Sequence, residues 1–235
     1  MARAAYKAIA DKIIWVCREM NRLGINQGTS GNVSARVPDG FLITPSGLGY
    51  DNMAAEQIVE MDLDGGYRGD LLPSSEWRMH QAIYAGRPEA QAVLHAHPTH
   101  ATALSSLRES IPAFHYMVGV AGGIDIRCAD YATFGTQALS DHMLAALRDR
   151  SACLLANHGM ICFAKTLEKV LGLAVEVESL SRQYLEARHV GEPVVLSAAQ
   201  MDEVLQRFQT YGKQPGDLPP GHAAAADALH RIDRA

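Results

Sequence analysis

Apolar residues near the start of the chain recur at steps of three and four, a pattern typical of an amphipathic helix. Ile9, Ile13 and Val16 carry this spacing within a predicted helix over residues 4–23, and Gly24 follows as a helix stop. Short apolar runs after this helix predict strands at residues 33–37, 41–44 and 58–62. The Asp64-Gly65-Gly66 segment has the composition of a hairpin turn.

The middle and end of the chain mix helix and strand patterns. Strands are predicted at residues 92–97, 114–118, 151–156 and 161–163. One helix is predicted after Pro73, with a serine as N-cap and an end near residue 84. Further helices are predicted over residues 103–107, from Thr136, over residues 167–187, and from Ser197 to about residue 211. Because helices and strands do not alternate strictly, a mixed sheet flanked by helices is favoured over a doubly wound parallel sheet.

Composition narrows the class of protein. A chain of 235 residues with 48% hydrophobic content suits one domain, predicted over residues 1–212, followed by a loosely held tail at 213–235. The net charge of -5 without a long basic run argues against a nucleic-acid partner. Charged residues near the N-terminus argue against a signal peptide, and no apolar stretch is long enough for a membrane span. Four cysteines without CxxC spacing suggest reduced thiols in the cytoplasm.

Three histidines stand where a metal could be bound. His95 and His97 are two residues apart on a predicted strand, so both side chains point to one face, roughly 7 Å apart along the chain. His158 follows an apolar strand and precedes a glycine that would let the backbone turn sharply. Each histidine alone could be a hydrogen-bonded core residue, but the pair on one face favours an open zinc site. His80 lies four residues after Glu76 on one helix face and could compete as a ligand, although a packing or capping role is simpler, and His100 is expected to point elsewhere.

Glu76 is the candidate base, although an acid at a helix start could equally serve only the helix dipole. Three separate segments, at residues 28–32, 44–47 and 74–75, offer hydroxyls and exposed backbone N–H groups, and the last of them directly precedes Glu76. If these segments converge, they would form a cradle for a phosphate group without needing lysine.

Together these motifs resemble the class II aldolases of sugar phosphates, and among them most closely the enzymes that cleave fuculose 1-phosphate. The resemblance spans the chain up to the tail after Lys213 and rests on Gln27-Gly28-Thr29-Ser30-Gly31-Asn32-Val33-Ser34, Ile43-Thr44-Pro45-Ser46-Gly47, Leu72-Pro73-Ser74-Ser75-Glu76-Trp77, His95-Ala96-His97, Ile111-Pro112-Ala113-Phe114-His115-Tyr116-Met117, Tyr131-Ala132-Thr133-Phe134-Gly135-Thr136 and Asn157-His158-Gly159. The implied fold is a three-layer α/β/α single domain whose central sheet is mixed and mainly antiparallel.

The resemblance also implies a reaction and its residues. A ketose 1-phosphate, such as L-fuculose 1-phosphate, would be cleaved reversibly to dihydroxyacetone phosphate and a short aldehyde. One Zn2+ per subunit would lie on His95, His97 and His158, with Glu76 completing the coordination in the empty site and acting as acid and base in catalysis. The residues implied to hold the phosphate are Gly31, Asn32, Ser46, Gly47, Ser74 and Ser75.

Further implied features concern the subunits and the aldehyde. Tyr116 would reach a neighbouring subunit's site in a homotetramer, and Phe134 and Tyr211 are candidates for the aldehyde pocket. Asn157 stands where fuculose phosphate aldolases carry another histidine, which leaves the preferred aldehyde open. A sugar-phosphate epimerase or decarboxylase, or a non-catalytic module like the adducin head, are the alternatives. Epimerases carry aspartate at the position of Glu76, and the adducin module lacks the histidines, so aldolase is favoured.

Overall fold

The computed structural model describes residues 2–210, apart from the side chains of Ala2 and Arg3. Within that part of the chain there are six α-helices: α1 Ala2–Arg22, α2 Trp77–Gly86, α3 Thr99–Leu107, α4 Gln137–Ala146, α5 Leu167–Val190 and α6 Ala198–Phe208. The strands are β1 Asn32–Val37, β2 Gly40–Ile43, β3 Val59–Met61, β4 Tyr67–Arg68, β5 Ala92–Ala96, β6 Cys128–Ala129, β7 Ala152–Leu155 and β8 Gly159–Ala164. Tyr211 and the predicted tail at 213–235 lie outside the described residues.

All eight strands join one sheet in the order β4-β3-β2-β1-β5-β8-β7-β6. Each neighbouring pair is antiparallel except β6 with β7, which is parallel. The hairpin between β3 and β4 turns at the predicted Asp64-Gly65-Gly66 segment. The prediction of a mixed, mainly antiparallel sheet is therefore confirmed.

Two helical layers cover the two faces of this sheet. Leu94 and Ala96 of β5 belong to a core shared with α1, α3 and α5, whereas Val93 belongs to a second core shared with α2 and α4. Successive residues of a strand point to opposite faces, so each helical layer packs on one side. The predicted three-layer α/β/α arrangement is confirmed. None of the helices described here has the length and apolar character needed to span a membrane.

The strand predicted at residues 114–118 is wrong. A 3-10 helix occupies Tyr116–Ala121 instead, and the His115 ring accepts a hydrogen bond from the backbone N–H of Met117 at its start. The apolar run is explained by helix packing rather than by sheet pairing, because Val118 and Ala121 are buried in the core that includes α5. Local composition alone does not distinguish these two outcomes.

Two other expectations need smaller corrections. The N-cap of α2 is Glu76 and not a serine, and its side chain makes no capping hydrogen bond because it points into the interior. The short strand β6 was missed, since two residues give no periodicity to detect. The Ser197 and Gln200 capping box is confirmed, although α6 ends at Phe208.

Replacing Leu94 by alanine is expected to destabilise the fold by about 2–5 kcal/mol, because a fully buried side chain between sheet and helices leaves a cavity. Chemical denaturation followed by circular dichroism measures the free energy of unfolding. The control is Val194→Ala, whose side chain is 86% exposed and should change this free energy by less than about 0.5 kcal/mol. Equal effects of the two substitutions would contradict this account of the core.

Candidate metal and phosphate site

One group of metal-ligating side chains gathers within residues 2–210 at the end of the central strands. His95 lies on β5, His97 just beyond it, His158 in the turn between β7 and β8, and Glu76 at the start of α2. Antiparallel pairing of β5 with β8 places His95 opposite Ile161 and brings the β7–β8 turn close to the end of β5. The candidate ligand atoms of all four residues lie within 4.8 Å of one another, so the predicted group is indeed assembled.

The three imidazole rings form a nearly equilateral triangle. Their centroids are separated by 4.7 Å for His95 and His97, 4.8 Å for His95 and His158, and 4.9 Å for His97 and His158. The Glu76 carboxylate faces this triangle, with Oε2 at 3.0 Å from His95 Nε2 and Oε1 at 3.1 Å from His158 Nε2. Glu76 and His95 are both buried.

The hydrogen-bonding capacity of these groups fits a cation between them. His95 Nδ1 lies 2.8 Å from the Met160 carbonyl, which can only accept, so Nδ1 carries the proton of the neutral ring. The other nitrogen, Nε2, then presents a lone pair to a carboxylate oxygen and to His97 Nε2 at 2.9 Å. Glu76 Oε1 is buried and makes no hydrogen bond of acceptable geometry despite its closeness to His158. Facing acceptors repel one another unless they share a metal ion or a proton, so these four residues could hold a metal.

Burial and mutual charge set the protonation of the group. Burial alone would raise the pKa of Glu76, but His95 and His158 outweigh it and hold this pKa below its usual range. Burial and the charges of His95 and His158 lower the pKa of His97 to about 4. Burial lowers the pKa of His95, but contacts with Glu76 and Met160 produce a net rise. An ionised carboxylate beside a neutral His97 is the state that binds a divalent metal.

A cavity of about 390 Å³ opens beside the metal group. The three polar segments converge there, because a bridge between Pro45 and Pro73 joins two of the loops. All six residues predicted to hold a phosphate line this cavity: Gly31, Asn32, Ser46, Gly47, Ser74 and Ser75. The backbone N–H groups of Ser46 and Ser74 donate to carbonyls of the facing loop, and the Ser74 hydroxyl oxygen accepts from the backbone N–H of Glu76 at 3.3 Å. These two serines could therefore offer an anion the hydrogens of their hydroxyl groups. In the part of the chain that the structure describes, no lysine or arginine lines this cavity.

Of the two other described site candidates, Phe134 lines the cavity and Tyr116 does not. Phe134 lines the cavity, and so do Tyr131 and Ala132 of the same motif, which had been given no individual role. Tyr116 does not line it; this side chain is 45% exposed and stacks on His115 and Phe208. A role for Tyr116 in its own subunit's site is therefore not supported by its position.

His80 and His100, the two other histidines considered as ligands, make contacts outside the metal-ligating group. His100 Nδ1 contacts Glu178 Oε1 at 2.7 Å, and the Glu178 carboxylate accepts from the first backbone N–H groups of α3, so His100 points away from the metal group, as predicted. His80 is fully buried and its pKa is lowered to about 3, mainly by burial and secondly by the charge of His95. Its ring hydrogen-bonds to Asn32 and Ser34 rather than capping α2.

The sequence predicted that Gly159 lets the backbone turn sharply beside His158, but the structure gives the turn a different cause. Asn157, not Gly159, adopts the left-handed conformation, with φ of 53°, and its side-chain oxygen accepts from Arg108 Nε at 3.0 Å. Gly159 is needed for close approach instead. A Cβ there would lie 2.6 Å from the Ala96 carbonyl oxygen and 2.8 Å from the His97 ring. Asparagine is the non-glycine residue most tolerant of this backbone region, which is the signal in the sequence.

The sequence matches the family of class II aldolase and adducin N-terminal domains over residues 11–185. The chain belongs to this family. It is 52% identical over 205 residues to L-fuculose phosphate aldolase of Escherichia coli K12, covering 87% of this chain and 95% of that one. It is 50% identical over 205 residues to 5-methylthioribulose-1-phosphate/5-deoxyribulose-1-phosphate aldolase of Rhodospirillum rubrum, covering 87% and 93%.

The fold agrees with these relationships. A solved structure of L-fuculose 1-phosphate aldolase superposes with a TM-score of 0.84 at 38% identity, covering 86% of this chain and 96% of that one. The family predicted from the motifs is therefore confirmed, and with it the class II aldolase fold.

Replacing Gly159 by alanine is expected to lower metal affinity by about tenfold or more, because the new methyl group must displace the His97 ring or the Ala96 carbonyl. Metal content after dialysis against a competing chelator measures this affinity. Gly172→Ala on α5 is the matched control, since a Cβ there meets no atom within 4 Å. A Gly159→Ala protein that retains as much metal as the control would refute the close-approach argument.

Proposed function

We propose that this protein is a zinc-dependent class II aldolase that reversibly cleaves a ketose 1-phosphate to dihydroxyacetone phosphate and a short aldehyde. The observation that carries the proposal is that Glu76, His97 and His158 of the metal-ligating group line one cavity together with the six residues proposed to hold a phosphate. Relatives that are about half identical over most of their length are sugar-phosphate aldolases by name.

Zinc is the metal we propose because three imidazoles with a carboxylate in the fourth position match its preferred ligands. When bound, the ion supplies Lewis-acid stabilisation of the negative charge that carbon-carbon cleavage leaves on the three-carbon fragment. His95 is kept in the ligand tautomer by its hydrogen bond to the Met160 carbonyl, so the site needs no rearrangement to receive the ion.

Glu76 is proposed as the acid and base at C3 of the three-carbon fragment. Its carboxylate is ionised, buried, and free of a hydrogen bond at Oε1, so that oxygen can accept a proton and return it. Substrate oxygens that take its place beside the histidines would release the carboxylate for this task. The proton would move between Glu76 and C3 in both directions of the reaction.

The phosphate group is proposed to lie in the cradle of Gly31, Asn32, Ser46, Gly47, Ser74 and Ser75. Hydroxyl donors and loop backbone fit an anion without a lysine. Asn32 contributes least, because its amide oxygen faces His80 and one of its two N–H groups donates to Glu76. Only the second N–H group of Asn32 remains for the substrate.

The aldehyde half of the substrate is proposed to meet Tyr131, Ala132 and Phe134, which form the apolar part of the cavity lining. This part favours a short aldehyde with an apolar end. Relatives named for fuculose phosphate and for methylthioribulose phosphate are 52% and 50% identical, so identity alone does not choose between these aldehydes.

Assembly, location and boundaries remain expectations drawn from the sequence. We propose a cytoplasmic homotetramer in which Tyr116 acts in the neighbouring subunit's site, a role compatible with its exposed ring. Reduced thiols suit that compartment, because Cys17, Cys153 and Cys162 are free and buried, and burial raises their pKa values. Residues 1–212 are proposed as the catalytic domain, with Tyr211 near the aldehyde and 213–235 as the tail.

An epimerase, a decarboxylase and a non-catalytic module are the alternatives within the family. A retained set of metal-ligating side chains argues against the module, and glutamate rather than aspartate at position 76 argues against the epimerase. The products separate the remaining reactions, because only an aldolase releases dihydroxyacetone phosphate together with an aldehyde.

We expect purified protein with about one zinc ion per chain to release dihydroxyacetone phosphate from a ketose 1-phosphate. A coupled assay with a dihydroxyacetone-phosphate-specific reductase, run on fuculose 1-phosphate and 5-deoxyribulose 1-phosphate, measures this release. Treatment with a chelator should abolish activity, because it removes the metal charge that stabilises the negative three-carbon fragment. Added zinc should return this charge and restore activity. Protein without divalent metal whose properties do not respond to a chelator would support the non-catalytic module.

Replacing Glu76 by glutamine is expected to lower turnover roughly 100-fold or more while metal and phosphate binding persist, because the amide cannot accept the proton. Steady-state kinetics and metal analysis measure the two effects separately. Glu89→Gln, at an exposed carboxylate paired with Arg87, is the control and should turn over normally. Near-normal turnover of Glu76→Gln would remove Glu76 as the base.

Mixing inactive Tyr116→Phe subunits with inactive Glu76→Gln subunits is expected to restore part of the activity. Mixed oligomers would contain some sites with both functional groups if Tyr116 acts across an interface. Activity of refolded mixtures, normalised to subunit composition by mass spectrometry, measures this complementation. Persistent inactivity in mixtures shown to be mixed would exclude the proposed position of Tyr116.

A further inference from the structure

A chain of buried polar side chains runs behind Glu76, away from the cavity. Asn32 Nδ2 donates to Glu76 Oε2 at 3.1 Å, and Asn32 Oδ1 lies 2.6 Å from His80 Nε2. His80 Nδ1 lies 2.6 Å from Ser34 Oγ, which lies 2.8 Å from the Tyr84 hydroxyl. Each of these four side chains is at most 3% exposed, so water does not replace any of these contacts.

The direction of every hydrogen bond in this chain follows from the carboxylate at its end. Ionised Glu76 can only accept, so the Asn32 amide must turn its NH2 group to Glu76 and its oxygen to His80. That oxygen can only accept, so His80 must carry its proton on Nε2 and present a lone pair on Nδ1. Ser34 then donates to Nδ1, and Tyr84 donates to Ser34.

Histidine is suited to the middle of this chain for a physical reason. Its neutral ring offers a donor and an acceptor at opposite edges of a rigid plane, and here it links β1 residues through both edges. Burial lowers the pKa of His80 to about 3, so the ring stays neutral and keeps this polarity at physiological pH. A protonated His80 would have no acceptor for Ser34.

We propose that His80 is a positioning residue for the acid and base step: it holds Asn32 in one orientation, so that Glu76 Oε2 always accepts a hydrogen bond and Oε1 is the oxygen that exchanges a proton with the substrate. The inference rests on the proposed aldolase function. It adds that His80, which does not line the cavity and contacts it only through Asn32, controls which carboxylate oxygen reacts.

The proton balance of the step is simple. In the direction of condensation, the C3–H bond of dihydroxyacetone phosphate breaks, its electron pair remains on the three-carbon fragment, and the proton forms an O–H bond at Glu76 Oε1. The Asn32 amide keeps the proton off the other oxygen, because its NH2 group is a hydrogen-bond donor and a protonated Oε2 would place a second donor against it. The reverse step returns the same proton to C3, and no other reactant is needed.

The test follows the exchange of the C3 proton of dihydroxyacetone phosphate in D2O without any aldehyde, which isolates the Glu76 step. His80→Leu removes both hydrogen bonds of the ring and should lower the exchange rate about tenfold or more, with zinc content unchanged. His80→Gln, which can place an amide donor toward Asn32, should recover most of that loss. The NMR shifts of 15N-labelled histidine rings should place the His80 proton on Nε2, with and without zinc.

A second variant covers the case in which His80→Leu does not fold. Ser34→Ala keeps the ring but leaves the buried Nδ1 lone pair without a donor, so the ring is held less firmly against Asn32 and the exchange rate should fall. Ser181→Ala on α5 removes a buried hydroxyl outside the chain and should leave exchange unchanged.

The outcomes distinguish this inference from the proposed function. If the wild type exchanges the C3 proton and folded, zinc-loaded His80→Leu or Ser34→Ala exchanges it at the same rate, only the role of His80 is overturned. A His80 proton found on Nδ1 would overturn it as well. Equal loss in His80→Leu and His80→Gln would reduce the ring to a packing role. No exchange in the zinc-loaded wild type would instead count against the aldolase function.

Discussion

The facing lone pairs of Glu76 and His95 are the constraint on which the site depends. Two acceptors 3.0 Å apart in a buried place are unfavourable unless a cation or a proton lies between them. The fold maintains this arrangement by independent means: a backbone carbonyl fixes His95, and Asn32 fixes the carboxylate. The Met160 carbonyl leaves the Nε2 lone pair of His95 free, and Asn32 occupies only one lone pair of Glu76 Oε2, so both residues could still bind a metal without rearrangement.

The sheet order explains why these residues meet. Strands β1, β5 and β8 are adjacent, so Asn32, His95 and the turn carrying His158 come together at one end of the sheet although they are far apart in sequence. Helix α2 adds Glu76 from the layer that shares its core with Val93. The strong pairing of central strands therefore sets the distances among ligands, whereas the phosphate cradle depends on loops at the same end.

Sequence reasoning succeeded where the signal was local or strongly periodic. The two-residue repeat on β5 placed His95 and His97 on one face, and the end of β7 placed His158. It failed for residues 114–118, because an apolar run fits a strand and a packed 3-10 helix equally well. The Asn32 to His80 contact was also invisible, since it joins residues 48 positions apart across two elements and follows only from the strand pairing and the placement of α2. Convergence of the three phosphate segments could be stated only as a condition for the same reason.

Among residues 2–210, those that line this cavity include no lysine or arginine, and this bears on how the proposed metal and phosphate sites would work together. A phosphate group held there by hydroxyls and backbone dipoles would keep most of its negative charge, and the Glu76 carboxylate lies nearby. A metal on the histidines, as proposed, would then be the main positive charge beside both, and in a partly buried cavity such charges interact more strongly than in water. Occupancy of the histidine triangle and binding of the phosphate would therefore be electrostatically coupled. A Glu76 carboxylate displaced by the substrate would lose the stabilising positive charge and would accept a proton more readily.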